Sequence, residues 1–305
     1  MADTHRSWVS SGLGGAAHAA LAEGLPASEV WSLLLDVMAR RAARRAPADL
    51  LRQWAQDGFT SLSAVDQRTF VALDAELLAA AAAFDAVELS PLAPLGGCSV
   101  VAPTSQNKIV SALRGTEVVA DPTSVLALEC ASRLRAAPDA VVRLATSHRC
   151  VRAQAFPKKP GFAQHFRIFC LASAGRERQG HRFVVEALSE QIATHLAALD
   201  RLEQRGYSFP NRRVTVLATP ETTAPADRVA EAIRGVPVER RPLEHRYYDG
   251  FRFMINAGES GDGGIPLIDG GAFDWVGTLA SNRRFAFVAS GMGSQLIAFA
   301  FRRSR

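Results

Sequence analysis

The amino-acid sequence predicts an α+β protein in which an antiparallel sheet is flanked by helices and preceded by a helical appendage. The first observation is a hairpin pattern over residues 140–174, where two strand-like runs are separated by the turn sequence KKPG at 158–161. The second is the carboxyl-terminal part, in which three strand-like runs separated by glycine turns precede one terminal helix. The third is that helices and strands do not alternate in the βαβ rhythm of a parallel sheet.

Composition places the chain among ordinary globular proteins. Of its 305 residues, 48% are hydrophobic and 21% are charged, which excludes global disorder. No apolar run is long enough to span a bilayer, and the first residues, MADTHRSWVSSGLGG, lack the features of a secretory or organellar leader. We therefore expect a soluble, cytoplasmic protein without membrane contact.

Charge and cysteine content limit the ligands that the chain could bind. The net charge of +5, carried mainly by arginine, suits an anionic ligand but is too diffuse to establish nucleic-acid binding. The run RRAARR at 40–45 is more typical of a solvated helix face than of an RNA site. The sequence contains no C-x-x-C pair, and its cysteines are far apart: Cys98, Cys130, Cys150 and Cys170. We expect four reduced thiols and no metal site.

The chain divides into a helical appendage, residues 1–65, and a core, residues 66–305. In the appendage, SEVWSLLLDVMARRA has apolar residues at helical spacing behind Ser28 as a cap, and PADLLRQWAQ opens with Pro47. The core begins with the helical pattern AVDQRTFVALDAELLAAAAAF, whose alanines allow another element to pack closely. A short alternating strand, AVELSP, follows and stops at Pro91.

The remaining elements follow from local patterns. We expect strands at SVVAP (99–103) and TEVVAD (116–121), and a helix over 122–136 that begins behind Asp121. After the hairpin, an apolar stripe predicts a helix from about 181 to 204, ending before Gly206. The segments RRVTVLATP and VAEAIRGV then predict a strand and a helix.

Four motifs in a fixed order resemble the class II aminoacyl-tRNA synthetases, closest to the histidyl branch. They are the helix-to-strand unit FDAVELSP, the helix start DPT at 121–123, the hairpin SHRCVRAQ to HFRIF, and the final block HRYYDGFRFMI, IDGGAFDWV and FVASGMGSQLI. The resemblance implies a class II synthetase-like antiparallel sheet flanked by helices. It also implies a homodimer, because the first motif is usually a dimer interface in that family.

The resemblance implies an ATP site on the hairpin. Arg152 would be the catalytic residue, gripping the α-phosphate and the amino-acid carboxylate, since a guanidinium offers a planar fork to such oxygens. His165, Lys158 and Lys159 would lie near the outer phosphates, and Phe169 would stack on adenine. Two further positions of the predicted ATP site carry amides in place of charged family residues: Gln154 and Gln295. Without the family resemblance, the same hairpin is a β-hairpin with a basic, solvated tip.

The resemblance also implies an amino-acid site. Asp121 and Thr123 would meet the α-amino group, because an ammonium offers donors only; helix capping explains the same two residues equally simply. The substrate-binding positions of the final block are Tyr247, Tyr248, Gly270 and Gly271, with Gly250 and Asp274 nearby. Glycines at these positions also serve plain tight turns.

Departures from the family pattern fall on the residues that carry charge. Gln295 replaces the third-motif arginine, Leu243 stands where the histidyl arginine is expected, and Arg283 or Arg284 would have to replace the lost charge. Small residues, CLASAG, follow Phe169, so histidine is not the expected ligand. The chain ends at Arg305 soon after the third motif, so tRNA anticodon recognition is not expected.

Two functions remain open from the sequence. The first is a noncanonical, ATP- and Mg²⁺-dependent enzyme that activates an amino acid or similar small carboxylate for a non-tRNA or atypical acceptor. The alternative is a catalytically silent regulatory or partner subunit, like the ATP phosphoribosyltransferase regulatory subunit, that binds a metabolite in the same cleft. Both predict an amino-acid-like small-molecule ligand.

Overall fold

The computed structural model describes residues 14–156, 162–244, 247–258 and 264–303. Eight strands form one sheet in the order β1-β5-β6-β11-β10-β9-β7-β8. Their bounds are β1 Asp85–Ala86, β5 Val142–Val151, β6 His165–Arg176, β7 Arg213–Ala218, β8 Val238–Pro242, β9 Phe251–Ala257, β10 Ile265–Phe273 and β11 Phe285–Met292. The predicted α+β class with an antiparallel sheet is confirmed: only the edge pairs, β1 with β5 and β7 with β8, are parallel among the described strands.

A second, three-stranded sheet interrupts the chain before the hairpin. It has the order β2-β4-β3, with β2 at Leu92–Pro94, β3 at Ser111–Ala112 and β4 at Thr116–Val118. The strand predicted at 99–103 is wrong, because these residues form turns above this small sheet. The strand predicted over AVELSP is reduced to β1, since Pro91 and the following residues join the small sheet instead.

Nine α-helices surround the strands in the described part of the chain. They are α1 Gly15–Ala19, α2 Ala27–Ala43, α3 Pro47–Gln56, α4 Gln67–Ala80, α5 Pro122–Ala136, α6 Arg182–Glu203, α7 Thr223–Ala232, α8 Trp275–Leu279 and α9 Ser294–Ala300. Asp66 caps α4 by accepting a bond from the Thr69 amide at 3.1 Å. Ser28 is not a cap, because α2 already begins at Ala27 behind Pro26. None of these helices is long and apolar enough to cross a membrane.

The two faces of the large sheet pack on different helices. One face carries a core shared with α4, α6 and α7, to which β6 contributes Phe169 and Leu171. The other face packs on α5 and α8, and β6 contributes Cys170 and Ala172 to it. Successive side chains of a strand point to opposite faces. Odd-numbered β6 residues therefore lie towards α4 and α6, and even-numbered ones towards α5.

The amino-terminal helices lie against the core without a buried centre of their own. None of residues 14–64 is buried. Trp31 of α2 packs against Gly115 beside the small sheet. Further along, the carbonyl of Ser61 bonds to His165 at 2.7 Å. The appendage therefore touches both the small sheet and the β5–β6 hairpin.

Candidate functional site

Three hollows share Arg152 and together form a cleft beside the β5–β6 hairpin. The tyrosine hollow, about 310 Å³, is lined by Asp121, Thr123, Arg152, Ile168, Cys170, Tyr247, Tyr248, Asp269, Gly270 and neighbouring β11 residues. The loop hollow, about 230 Å³, includes Cys98, Lys108, Asp121, Gln154 and Trp275. The phenylalanine slot, about 280 Å³, is lined by Phe156, Phe162, Phe166, Pro266, Leu267, Gln295 and Leu296. Arg152 therefore borders all three hollows, and a ligand in any of them would lie near its guanidinium.

Arg152 follows β5 and is fixed by main chain and by one carboxylate. Its Nε donates to the carbonyl of Ala120 at 3.0 Å, and its Nη2 lies 3.4 Å from Asp121 Oδ2. Its guanidinium carbon stands 5.1 Å from the ring centroid of Phe166. These bonds use two of the five N–H donors of a guanidinium, so donors remain for a ligand anion.

Asp121 serves both as a helix cap and as a cleft residue. Its Oδ1 accepts from the Thr123 amide at 3.0 Å and from the Thr123 hydroxyl at 2.7 Å. The capping interpretation of DPT is therefore observed directly. The same two residues also line the tyrosine hollow, so the cap holds a carboxylate beside Arg152.

The paired tyrosines form the far wall of the tyrosine hollow. The hydroxyl of Tyr248 donates to Asp269 at 2.9 Å, and Arg252 holds both oxygens of that carboxylate at 3.0 and 2.8 Å. Burial raises the pKa of Tyr247 and of Tyr248, with the Asp121 charge adding to the shift of the first and the Asp269 charge to that of the second. Both rings are therefore neutral phenols that can donate hydrogen bonds.

Asp269 and Arg252 are cleft residues that the sequence analysis missed. Asp269 directly precedes Gly270 in IDGG, and Arg252 lies on β9 at the register position facing Gly271. The sequence contained a signal for Asp269, because it lies two positions before Gly271 and therefore on the same face of the strand. Their mutual pairing leaves this end of the cleft close to electrically neutral.

Gly270 and Gly271 allow close strand packing here and are not part of a tight turn. A Cβ on Gly270 would collide with Ser290 and with the carbonyl of Ala289, and one on Gly271 with the carbonyl of Phe251 and the ring of Tyr248. Gly270 also lines the tyrosine hollow. Gly271 therefore acts through Tyr248, by giving its ring room to lie against β10.

The wall of the loop hollow is held by a buried carboxylate. Glu117 of β4 accepts bonds from the amides of Gly96 and Cys98 and from the side chain of Gln106, each at 2.8 Å. Burial alone would raise the pKa of Glu117, but these bonds outweigh it and lower the pKa. The loop that carries Cys98 to the cleft is therefore fixed by an ionised glutamate.

Gln295 borders the phenylalanine slot and carries a buried polar atom without a partner among the described residues. Gln295, at the start of α9, is 3% exposed, and its Oε1 has no hydrogen-bond partner among the described residues. Phe156 meets Phe166 edge to face, with ring centroids 5.9 Å apart. Gln154, the other predicted amide, borders the loop hollow and not this slot.

Two hairpin residues predicted to contact ATP lie on the opposite side of the sheet. Phe169 is fully buried in the α4–α6 core, with its ring 6.1 Å from that of His195. His165 donates from Nε2 to the carbonyl of Ser61 and accepts a bond from Arg149 at Nδ1, 2.9 Å away. The prediction that these two side chains contact a nucleotide in the cleft is wrong, because odd-numbered β6 residues face away from it. Phe166 is the ring on the cleft side.

Among the described residues, Arg283 does not take the place of the missing third-motif charge. Lys158 and Lys159 lie outside the described residues. Arg283 borders a different cavity, of about 680 Å³, together with Asp249 and His181, at the end of β11 opposite to Gln295. Leu243 is 9% exposed, and its amide bonds to Ala218. In the described ranges, no group of three or more His, Cys, Asp or Glu is arranged to hold a metal ion.

Comparison with known proteins identifies the fold. No protein-family model matches the sequence, and no curated protein matches it. Among solved structures, a Bacillus halodurans ATP phosphoribosyltransferase regulatory subunit/histidyl-tRNA synthetase aligns with a TM-score of 0.57 and 16% identity, over 77% of this chain and 80% of its own. The apo histidyl-tRNA synthetase of S. aureus gives 0.58 and 11%, over 79% and 68%. A histidine–tRNA ligase subunit from Alicyclobacillus acidocaldarius gives 0.56 and 12%, over 79% and 95%.

Proposed function

Because the chain has the catalytic-core fold of the class II aminoacyl-tRNA synthetases, we propose that its cleft binds an amino acid or a similar small carboxylate, as a catalytically silent regulatory or partner subunit. The observation that carries the proposal is the Arg152–Asp121 pair, two opposite charges at 3.4 Å that both border the tyrosine hollow. A zwitterion matches this pair, with its carboxylate at the guanidinium and its ammonium at the carboxylate.

The surroundings of the pair suit a small ligand. Both partners are about one-third exposed, so they are accessible while the cleft walls remove part of the competing water. Ile168 and Cys170 line the hollow without adding charge. Tyr247 adds a neutral donor, while the hydroxyl of Tyr248 already donates to Asp269. The hollow is therefore expected to prefer a small, uncharged side chain.

Within the part of the chain that the structure describes, the charges lining the cleft favour a silent subunit over ATP chemistry. Catalysis of phosphoryl or adenylyl transfer needs positive groups aimed at the charge that develops on the phosphates. Arg152 is shared with Asp121, and Arg167 is paired with Asp74. Lys108 borders only the loop hollow, and Gln295 is an uncharged amide. The Bacillus halodurans neighbour has this fold and is described as an ATP phosphoribosyltransferase regulatory subunit/histidyl-tRNA synthetase. Its description is a precedent for a regulatory role of the fold.

Isothermal titration calorimetry against each of the standard amino acids tests the proposal. We expect one or a few small or apolar amino acids to bind, and Arg152→Ala to weaken that binding by about 10-fold or more, because hydrogen bonds to a charged group contribute about 1.5–3 kcal/mol. Arg143→Ala is the matched control, because Arg143 lies on the other face of β5 in an ion pair with Glu190. Absence of binding by every amino acid, or equal affinity of the Arg152→Ala protein, would refute the proposal.

A second candidate is ATP-dependent activation of the bound carboxylate. It is favoured by one observation, the stacking of Arg152 on Phe166 where the tyrosine hollow meets the phenylalanine slot. ATP with Mg²⁺ would then lie across both. Exchange of labelled pyrophosphate into ATP that depends on an amino acid, and is lost in Arg152→Ala, would establish this activity in place of the silent role.

We also propose that the chain is a homodimer that uses α4. The helix is rich in alanine, which allows close approach, and Val71 on it is 62% exposed. Light scattering at micromolar concentration is expected to give twice the chain mass of 32.7 kDa. A monomer under these conditions would contradict the proposal.

A further inference from the structure

Helix α2 leaves a row of four side chains exposed. Glu29, Leu33, Val37 and Arg41 follow one another at intervals of four residues and therefore form one ridge of the helix surface, which we term the α2 ridge. All four are exposed, with 45% of Leu33 and 39% of Val37 open to solvent. None of the 17 residues of α2, all of which the structure describes, is buried. Helices in proteins owe most of their stability to a packed apolar face, so the α2 ridge is a candidate contact surface.

The charges of the α2 ridge complement a reversed copy of the same ridge. One end is the carboxylate of Glu29, the middle is apolar, and the other end is the guanidinium of Arg41. Neither charged side chain has a partner among the described residues, whereas the neighbouring Arg40 is paired with Asp36 at 2.8 Å. Glu29 and Arg41 lie equally far from the middle of the row. A two-fold axis at the middle therefore sets Glu29 of each copy beside Arg41 of the other, and Leu33 beside Val37.

The order of these groups along the helix favours a protein surface over a lipid bilayer. A helix that lies in a membrane interface carries apolar residues along its whole length and basic residues around its sides. In the α2 ridge the acidic, apolar and basic groups follow one another along the axis, and Glu29 would face anionic headgroups. A second copy of the ridge satisfies both charges and covers both apolar side chains.

We propose that two copies of the chain pair through their α2 ridges, in opposite directions across a two-fold axis. Ridges of residues four apart interdigitate in the commonest class of helix packing. Leu33 and Val37 supply the affinity, and Glu29 and Arg41 the direction, since exposed ion pairs add little affinity. One ridge is smaller than a standard interface, so we expect pairing at about 100 µM protein and not at the micromolar concentrations that test α4. The contact is separate from the amino-acid site.

Sedimentation velocity over a series of protein concentrations tests the pairing. The Val71→Glu background separates this contact from α4, because Val71 is exposed on that helix. We expect the mass to rise from 32.7 kDa towards twice that value at high concentration. Leu33→Glu with Val37→Glu should abolish the rise, and Arg135→Glu, an exposed change on α5, is the control that should not. No rise, or a rise that survives the two α2 substitutions, would overturn the proposal.

Exchange of the two charges tests the direction of the pairing. Glu29→Arg sets two arginines side by side and Arg41→Glu two glutamates, so each variant alone should pair about fivefold more weakly or worse. A mixture of the two variants restores opposite charges at both contacts and should regain the affinity of the natural pair, as should both changes in one chain. Equal affinities throughout would overturn the reversed pairing, with thermal unfolding used to verify that each variant is folded. Binding to phosphatidylglycerol vesicles without self-association would assign the ridge to a lipid surface and overturn the proposal.

Discussion

Both faces of the β5–β6 hairpin carry arginines stacked on phenylalanines, but the arginines of the two faces have different hydrogen-bond partners. On the cleft face Arg152 stacks on Phe166 at 5.1 Å. On the helix face Arg149 and Arg167 stack on Phe70 at 5.1 and 5.8 Å. Residue type alone therefore does not separate a ligand site from a structural cluster.

The partners of the arginines do separate the two faces. On the helix face Arg167 is bonded to Asp74 and Ser147, and Arg149 to His165. On the cleft face Arg152 has a long contact with Asp121, and Gln295 nearby has an unpaired oxygen. The arginines of the helix face are bonded to protein groups around them, whereas the guanidinium of Arg152 keeps N–H donors for a ligand.

The largest expected effect is on the helix face. Phe169→Ala removes a fully buried ring and should lower the free energy of unfolding by about 3–5 kcal/mol, through lost transfer energy and a residual cavity. Phe166→Ala is the matched change on the cleft face, where the ring is only partly buried, and should cost no more than about half as much. Urea denaturation of both variants gives the comparison. Equal losses would mean that Phe166 is as much a core residue as Phe169.

The same two phenylalanines show how far the sequence could predict the site. The hairpin, the helices and their order could be predicted because hydrophobic periodicity and turn residues are local signals. For example, α3 and α5 begin and end where the sequence predicts. The sequence could not predict which phenylalanine ring faces the cleft. Side chains alternate along a strand, so an odd-numbered shift in aligning a motif moves every predicted contact to the other face. Phe169, predicted to stack in the cleft, lies on the other face, whereas Phe166, three positions earlier, lies on the cleft side.

Other misses arise from contacts between distant parts of the chain. Asp269 and Arg252 meet across neighbouring strands, and the Glu117 network joins residues up to twenty-one positions apart. Strand β8 pairs in parallel with β7, from which it is separated in the sequence by a helix. It carries exposed arginines, so it lacks a strand-like hydrophobic pattern. Such features depend on tertiary packing, for which a single sequence has no local pattern.

An intermediate loss of folding free energy is expected for Glu117, which holds the wall of the loop hollow. The folded-state pKa of Glu117 is lowered, so its stabilising contribution is fully present above the unfolded value of 4.5 and is lost as the pH falls through the lower folded-state value. Glu117→Gln should cost about 1.5–3 kcal/mol at pH 7, the usual contribution of hydrogen bonds to a charged group. The difference from the natural chain should shrink below pH 4.5. Urea denaturation from pH 3 to 7 measures it, and a difference independent of pH would contradict an ionised Glu117.

The smallest effect is expected at the carboxylate of the helix face. Burial raises the pKa of Asp74, and the Ser147 hydrogen bond and the Arg167 charge only partly oppose it. Since the folded-state pKa lies above the unfolded value of 3.8, protonation favours folding, and this contribution is lost as the pH rises through the folded-state value. Asp74→Asn should therefore change stability by less than about 1 kcal/mol at pH 7, because relief of the buried charge offsets the lost ion pair. Relative to the natural chain it should become less favourable below pH 4, the opposite trend to Glu117→Gln. If both variants showed the same trend in one urea series, the two faces would not differ in how they hold a carboxylate.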